Sequence, residues 1–283
     1  MRVEPLTSSF GCVVSGATML TSTDVPALKR LLREHGAVML REACSSVATF
    51  EAVTHAFGDR FLHHGNPARV PAPGDGFTIS VTPGGGSIDV HSEMAYSPLH
   101  PSAIWFYCAM PAATGGDTML CDGVELFDRL PQDVQHALRR HLVTYTYNDM
   151  ARWWQFLGMA DRKTLPTAAQ FSGAVWEVDG NGNVSRFAYS TSAVHRGLNG
   201  LEAFAASLLD KGYSFDEAYF DGVTPIPEHL LFAIRDVARS LQVRVRLGAA
   251  DVLLLDNNRV LHGRTGYDDV ARKVYLRLAN FTV

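Results

Sequence analysis

Two groups of short predicted strands lie far apart in this sequence, and they constrain the possible folds more than any other feature. Their residues alternate between apolar and polar or are continuously apolar, and Gly, Pro and Asn residues separate the strands. The first group covers 87–93, 103–108 and 118–121, and the second covers 242–247, 251–255 and 273–281. Residues 122–240 between them carry mixed helical signals. This arrangement predicts an α+β chain that is mainly β, with a double-stranded β-helix (jelly-roll) core and flanking and inserted helices.

Helix signals also occur outside the strand groups. Asp24 and Ser46 are typical caps at the start of two predicted helices, and Pro227 begins a third, in which apolar residues recur with helical spacing. A chain of 283 residues has a usual length for one β-rich unit. We therefore predict a single domain, 1–283, with the helical insertion at about 122–240.

The charge and the cysteines exclude several classes of function. The formal net charge is −4 and no run of Lys and Arg is present, so the chain has no basic surface for nucleic acid. No apolar stretch reaches the ~18 residues of a membrane span, and the first residues lack the pattern of a signal peptide. The four cysteines are scattered, as in reduced intracellular proteins. We expect a cytoplasmic protein that binds neither nucleic acid nor membrane.

A candidate metal site begins on one predicted strand. Strand side chains alternate between two faces, so His91 and Glu93 are expected to point to the same side. His262 follows the strand at 251–255 and a turn, and it becomes a third ligand if the barrel brings these strands together. Two imidazoles and one carboxylate form the facial triad of non-haem iron(II) oxygenases. Two alternatives stay open: a chance His-x-Glu pair, and a zinc site, although the His-Glu-x-x-His pattern of zinc hydrolases is absent.

The number and type of these ligands indicate a chemistry. Three ligands on one face of a six-coordinate iron leave three positions, two for the carboxylate and carbonyl of a keto acid and one for dioxygen. A small residue in place of Glu93 would leave a position for halide. The carboxylate therefore favours oxygen transfer or desaturation over halogenation.

Two longer motifs resemble those of the taurine dioxygenase and clavaminate synthase superfamily. The first is His-Ser-Glu-Met-Ala-Tyr at 91–96, followed by Pro-Ala-Ala-Thr-Gly-Gly-Asp-Thr at 111–118. The second is a distal-histidine segment at 248–264, followed by basic residues. The resemblance covers about 36–283, and it is closest to hydroxylase-like members from nonribosomal-peptide and modified-amino-acid pathways. The two motifs in this order are more specific than either alone.

The resemblance implies an Fe(II)- and 2-oxoglutarate-dependent dioxygenase, with dioxygen as oxidant and ascorbate as reductant in vitro. It implies that Thr118 helps to hold the distal carboxylate of 2-oxoglutarate and that Arg272 is the charge partner, since a guanidinium grips a carboxylate through two parallel hydrogen bonds. Strand alternation places Arg272 on the apolar face with Val274, and Arg277 on the opposite face. We favour Arg272 and keep Arg277 as the alternative, or as the partner of a substrate carboxylate.

Other charged residues near these positions are expected to have no role in the site. Lys273 and Arg264 are predicted to be solvated surface charges, because charged side chains are usually exposed.

Residues that contact the substrate are predicted near the metal motif and in the insertion. Tyr96 is favoured because its ring is apolar and its hydroxyl polar, Met94 directly follows Glu93, and Arg69 precedes a Pro- and Gly-rich loop. The weaker candidates are Asn148, Arg152 and Trp154 in the insertion, together with His63 and His64.

The resemblance implies hydroxylation of an amino acid or amino-acid-like small molecule, free or tethered to a carrier protein, in natural product biosynthesis. Desaturation, epoxidation and cyclisation share the first hydrogen abstraction, so the sequence does not separate them from hydroxylation. A further alternative is a non-catalytic jelly-roll protein that binds a metal or a small ligand. The sequence leaves the substrate and the oligomeric state open.

Overall fold

The computed structural model describes residues 2–16, 23–64, 66, 69–81, 84–147, 157, 171–181, 184–209 and 215–281. The helices in these ranges are α1 (Val25–His35), α2 (Val47–Phe57), α3 (Gly123–Arg129), α4 (Gln132–Arg140) and α5 (Glu228–Leu241). The strands are β1 (Arg2–Pro5), β2 (Cys12–Ser15), β3 (Ala37–Leu40), β4 (Phe61–Leu62), β5 (Ile79–Ser80), β6 (Ile88–His91), β7 (Ala103–Met110), β8 (Thr118–Asp122), β9 (Val143–Tyr147), β10 (Ala174–Val178), β11 (Val184–Thr191), β12 (Val194–Arg196), β13 (Glu202–Phe204), β14 (Glu217–Phe220), β15 (Thr224–Pro225), β16 (Val243–Val245), β17 (Val252–Asp256), β18 (Val260–Arg264) and β19 (Lys273–Ala279). None of these helices is both long enough and apolar enough to cross a membrane.

Two sheets form the core of the fold. The larger sheet has the strand order β1-β2-β3-β17-β7-β19-β4, with β5 also paired to β19, and the smaller sheet has the order β16-β8-β18-β6. Phe106 and Leu276 of the larger sheet and Val90 and Leu261 of the smaller sheet belong to one buried apolar cluster. The sheets therefore pack face to face, as in a jelly roll, and the predicted fold class is confirmed.

Helices α1 and α2 cover the outer face of the larger sheet. Strand β3 is apolar on both faces: Ala37 and Met39 belong to the cluster between the sheets, whereas Val38 and Leu40 belong to a second cluster outside it. That second cluster also contains Leu28 and Leu32 of α1 and Phe50, Val53 and Phe57 of α2. A strand covered on both faces needs apolar residues at consecutive positions. The three helices predicted from their start signals are confirmed.

The described part of the predicted helical insertion is only partly helical. Helices α3 and α4 begin it and α5 ends it, but a five-stranded sheet in the order β10-β11-β9-β14-β15 and the hairpin β12-β13 lie between them in the described residues. Among the described residues the predicted helices are therefore present at the two ends of the insertion, and strands lie between them. Strand β10, for example, is largely exposed, so it lacks the apolar alternation by which a half-buried strand is recognised. That residues 1–283 form one domain stays a prediction.

A buried ion pair connects the turn between β17 and β18 to β8. Arg259 donates to both carboxylate oxygens of Asp122, at 3.1 and 2.7 Å, and the two side chains are 8% and 7% exposed. Arg259 also donates to the main-chain oxygen of Glu34 in α1, and Asp122 accepts from the main-chain N–H of Val124 in α3. The pair therefore joins the two sheets and two helices.

Replacing Asp122 with alanine is expected to lower the free energy of unfolding by about 3–5 kcal/mol, because the buried guanidinium of Arg259 loses its partner. Urea unfolding followed by circular dichroism measures this change. The matched control is Glu177→Ala, which breaks the exposed Arg186–Glu177 pair and should cost less than about 1 kcal/mol. Equal losses in the two variants would contradict the structural role of the buried pair.

Candidate metal centre

Three side chains that can bind a metal meet where β6 and β18 pair. His91 is the last residue of β6, and Glu93 follows it after one residue. Antiparallel pairing sets His262 of β18 directly opposite His91. One nitrogen or oxygen atom of each residue lies within 4.8 Å of the others, and all three residues are buried. The structure therefore brings the predicted ligand set together.

These side chains line a cavity between the two sheets. Phe106 and Val274 of the larger sheet and Ile88 and Thr118 of the smaller sheet form part of its wall. The further polar residues of the wall are His64, Asn66, Arg69, Tyr96, Arg264 and Arg272. Polar groups of this kind, set among apolar ones, are typical of a small-molecule site.

The donor set suits ferrous iron. Nδ1 of His91 lies 2.9 Å from the main-chain oxygen of Asp89, and a carbonyl oxygen can only accept, so Nδ1 carries the proton and Nε2 offers its lone pair. Two imidazoles and one carboxylate are the ligands of the iron(II) facial triad. The residues present therefore fit the metal that the sequence predicted.

Comparison with known proteins identifies the family. The model described as "Taurine catabolism dioxygenase TauD, TfdA family" matches residues 2–279. The chain belongs to this family. Members use Fe(II), 2-oxoglutarate and dioxygen, so this TauD/TfdA protein is an Fe(II)/2-oxoglutarate-dependent dioxygenase. The alternatives of a zinc enzyme and of a non-catalytic binding protein are not supported.

Individual relatives agree with membership of the TauD/TfdA family. A clavaminate synthase-like protein of Arabidopsis thaliana is 27% identical over an alignment of 281 residues, which covers 90% of this chain and 85% of that protein. A taurine dioxygenase of Burkholderia xenovorans has a TM-score of 0.67 at 17% identity, covering 98% of this chain and 88% of that chain. AAD-2, crystallised with Mn(II) and N-oxalylglycine, has a TM-score of 0.65 at 15% identity, covering 100% and 99%. The two solved structures share the fold.

Glu93 of this TauD/TfdA enzyme is ionised. Burial opposes ionisation, but the charge of Arg69 and hydrogen bonds from His262 and His64 outweigh it and hold the pKa of Glu93 well below its usual range. His64 Nε2 and Arg69 Nη2 lie 3.0 and 3.4 Å from Oε1 of Glu93, whereas His262 Nε2 lies 3.4 Å from Oε2. One carboxylate oxygen is therefore held by the cavity wall, and the other faces His262.

The imidazoles of His262 and His64 beside Glu93 have lowered pKa values, which favours their neutral form near pH 7. Burial, and then His91, lowers the pKa of His262 to about 4. Burial, and then Arg69, lowers the pKa of His64. A neutral imidazole keeps the lone pair that a metal requires.

The two residues that the resemblance assigns to the keto acid line the same cavity. Thr118 is the first residue of β8, and Arg272 immediately precedes β19. The guanidinium of Arg272 donates to the main-chain oxygen of Gly116 at 3.3 Å and lies over the ring of Tyr267, 4.8 Å from its centroid. Gly116 has φ +68°, and a Cβ there would lie 2.9 Å from Nε of Arg272. Glycine at this position therefore leaves room for the arginine.

Arg277 lies outside the cavity. Its side chain is fully buried in β19, on the face opposite Val274, which belongs to the cluster between the sheets. Its guanidinium pairs with Asp75 at 2.7 Å and with Glu51 of α2 at 3.4 Å. The structure therefore contradicts the alternative that Arg277 binds the keto acid or a substrate carboxylate, because acidic groups outside the cavity already neutralise its charge.

Arg264 corrects a second prediction. It is 7% exposed and lines the cavity, so it is not a solvated surface charge. It donates to the main-chain oxygens of Gly84 and Gly86, at 2.7 and 2.9 Å. Its position could have indicated this, because Arg264 lies two residues after His262 in β18, and side chains two residues apart in a strand point to the same face. Lys273 is exposed, as predicted.

The predicted substrate contacts separate into three groups. Tyr96 and Arg69 line the cavity, and so does His64, which had been a weaker candidate. Met94 is fully buried in the apolar cluster between the sheets, so its prediction as a substrate contact was wrong. The predictions at Asn148, Arg152 and Trp154 lie outside the described residues.

Proposed function

We propose that this dioxygenase hydroxylates an amino acid or an amino-acid-like small molecule, free or tethered to a carrier protein, in a biosynthetic pathway. His91, Glu93 and His262 hold ferrous iron, and Thr118 and Arg272 hold the distal carboxylate of 2-oxoglutarate. One observation carries the proposal: a single cavity wall contains this ligand set, two residues suited to a keto acid, and further polar side chains for a substrate.

The residues of the wall have separate tasks. Thr118 donates a hydrogen bond to the keto acid, and Arg272 adds charge-assisted hydrogen bonds. Phe106 and Val274 present apolar surface that excludes water from the reacting groups. Ferrous iron with 2-oxoglutarate and dioxygen, when bound, supplies the oxidising power to replace a carbon-bound hydrogen by hydroxyl. The carboxylate of Glu93 would bind the metal where a halide would otherwise bind, which favours oxygen transfer over halogenation.

Arg69 supports an acidic substrate such as an amino acid. Its side chain is 9% exposed and lines the cavity, and its Nε has no hydrogen-bond partner among the described residues. A nearly buried guanidinium with an unused donor suits a carboxylate. Tyr96 offers an aromatic surface for the apolar part of the substrate in the same cavity.

A turnover screen tests the proposal. The protein is loaded with Fe(II) and given 2-oxoglutarate, ascorbate and oxygen, with a panel of free and carrier-bound amino acids. We expect succinate formation coupled to loss of one substrate, and a product heavier by one oxygen atom. The control without substrate measures uncoupled succinate. A product that has lost two hydrogen atoms would indicate desaturation or ring formation instead, and failure to bind 2-oxoglutarate would refute the proposal.

Replacing Arg69 with methionine is expected to raise KM for that substrate about 10- to 100-fold, because a hydrogen bond to a charged group contributes about 1.5–3 kcal/mol. Steady-state kinetics should show a smaller change in KM for 2-oxoglutarate. The control is Arg60→Met, which removes an exposed arginine. If the substrate KM is unchanged and metal binding is weaker, Arg69 supports only the metal ligand Glu93 and does not bind the substrate.

We also propose that the chain is a single domain of the cytoplasm. Tyr145 and Phe187 of the insertion belong to the same apolar cluster as Phe106 and Leu261 of the barrel. All four cysteines are buried free thiols, as expected in a reducing compartment.

A further inference from the structure

One side chain, Asn257, holds the main chain of Glu93. Asn257 lies in the turn between β17 and β18, and its Oδ1 accepts from the N–H of Glu93 at 2.9 Å while its Nδ2 donates to the carbonyl oxygen of Glu93 at 3.0 Å. Strand β6 has already ended at His91, so the prediction that the strand continues to residue 93 was wrong. The carboxamide of Asn257 thus offers Glu93 the donor and the acceptor that a peptide group of a neighbouring strand would offer.

The chain turns sharply after Glu93, and this turn is strained. Met94 has φ 55°, in the left-handed region, which costs a residue other than glycine about 1–2 kcal/mol. The N–H of Ala95 and the N–H of Ser97 close this turn by hydrogen bonds to the carbonyl oxygens of Ser92 and Met94. A strained turn relaxes unless other contacts fix it. The two hydrogen bonds between Asn257 and the main chain of Glu93 therefore resist a movement that would carry the Glu93 carboxylate away from the histidines.

Asn257 is itself immobilised. It has no exposed surface, its N–H donates to the carbonyl oxygen of Ser102 at 3.0 Å, and its carbonyl oxygen accepts from Oγ of Ser92 at 2.9 Å. Its Nδ2 also donates to the carbonyl oxygen of Pro101 at 2.9 Å and lies 2.9 Å from Nε2 of His100. A buried amide with both ends bonded keeps one orientation.

The same turn leads directly into β18, which carries His262. Asn257 and Glu93 are 164 residues apart in the chain, so one turn links the two halves of the ligand set. A displacement of the turn would move Glu93 and His262 together.

We propose that Asn257 is a positioning residue, which sets the metal affinity of the site by fixing the main chain of Glu93. The inference rests on the proposed function, in which Glu93 binds the metal. Groups that orient a metal ligand typically contribute about 10- to 100-fold to metal affinity, and this is the effect expected here.

The test measures the affinity of the full-length apoprotein for Mn(II) by electron paramagnetic resonance titration, without turnover. Asn257→Ala removes both hydrogen bonds to Glu93, and the Kd for Mn(II) should rise about 10- to 100-fold. Asn257→Asp keeps the shape and the acceptor but removes the donor to the Glu93 carbonyl oxygen, so its Kd should also rise. If Asn257→Ala does not fold, the Kd of Asn257→Asp tests the inference.

The matched control is Asn280→Ala, which loses the hydrogen bond from the N–H of Ser102 at 2.8 Å but has no contact with Glu93. It should lower the melting temperature of the apoprotein and leave the Kd unchanged. Folded Asn257 variants with a Kd within about twofold of wild type would overturn the inference and leave the proposed function standing. If Glu93→Ala binds Mn(II) as tightly as wild type, the proposed function fails, and the inference fails with it.

Discussion

Replacing His262 with alanine is expected to abolish turnover and to raise the Kd for Fe(II) or Mn(II) more than about 100-fold, because even groups that only orient a ligand contribute about 10- to 100-fold. One of three metal ligands is lost. The fold should persist, since the side chain lines a cavity and little packing is removed. Metal titration, succinate formation and circular dichroism measure the three effects.

The matched control is His136→Ala, which removes an exposed histidine of α4. It should keep the metal affinity and the turnover of the wild type. Full activity of the His262→Ala variant would contradict the assignment of the site. If circular dichroism shows that this variant is unfolded, His262→Gln retains a polar side chain of similar size and replaces it in the test.

Replacing Arg272 with leucine is expected to raise the Kd for 2-oxoglutarate about 30- to 1000-fold, because losing one partner of a buried charge pair costs about 2–4 kcal/mol. Calorimetric titration of the Mn(II)-loaded protein measures this. The affinity for Mn(II) alone should not change, since the guanidinium contacts Gly116 and Tyr267 and not the ligand set.

Two variants of β19 complete the Arg272 experiment. Lys273→Leu removes the exposed neighbouring charge and should leave the affinity for 2-oxoglutarate as it is. Arg277→Lys keeps a positive charge beside Asp75 and should also bind 2-oxoglutarate normally. Loss of binding in Arg277→Lys, with binding retained in Arg272→Leu, would reverse the assignment of the two arginines.

Much of the fold was predicted from the alternation of side chains between the two faces of a β-strand. It placed Val274 and Leu276 on one face of β19, where the structure has both in the cluster between the sheets. It failed in the insertion at β10, because Val175 and Val178 are apolar but exposed, so apolar and polar residues do not alternate along that strand. The alternation therefore identifies a strand only where apolar side chains face the core and polar side chains face solvent.

The chemical groups of the candidate site could be predicted from the sequence. How the backbone positions these groups could be predicted only in part. The convergence of His91 and Glu93 was expected from a strand that continues to residue 93, whereas the structure ends the strand at His91 and holds Glu93 by a side-chain amide. Arg264 was expected at the surface, because burial of a guanidinium requires acceptors that the local sequence does not reveal.

The amino-acid sequence alone determined the candidate metal ligands, the candidate arginines for the keto acid, and the apolar faces of helices and strands. These features depend on residue type and on local spacing. The tertiary structure decided which of these groups meet. It set His262 opposite His91, placed Asn257 against the main chain of Glu93, and buried Arg264 against the carbonyl oxygens of Gly84 and Gly86. These contacts join residues that are far apart in the chain. Their distances depend on strand register and loop packing, which the local spacing of residues does not determine.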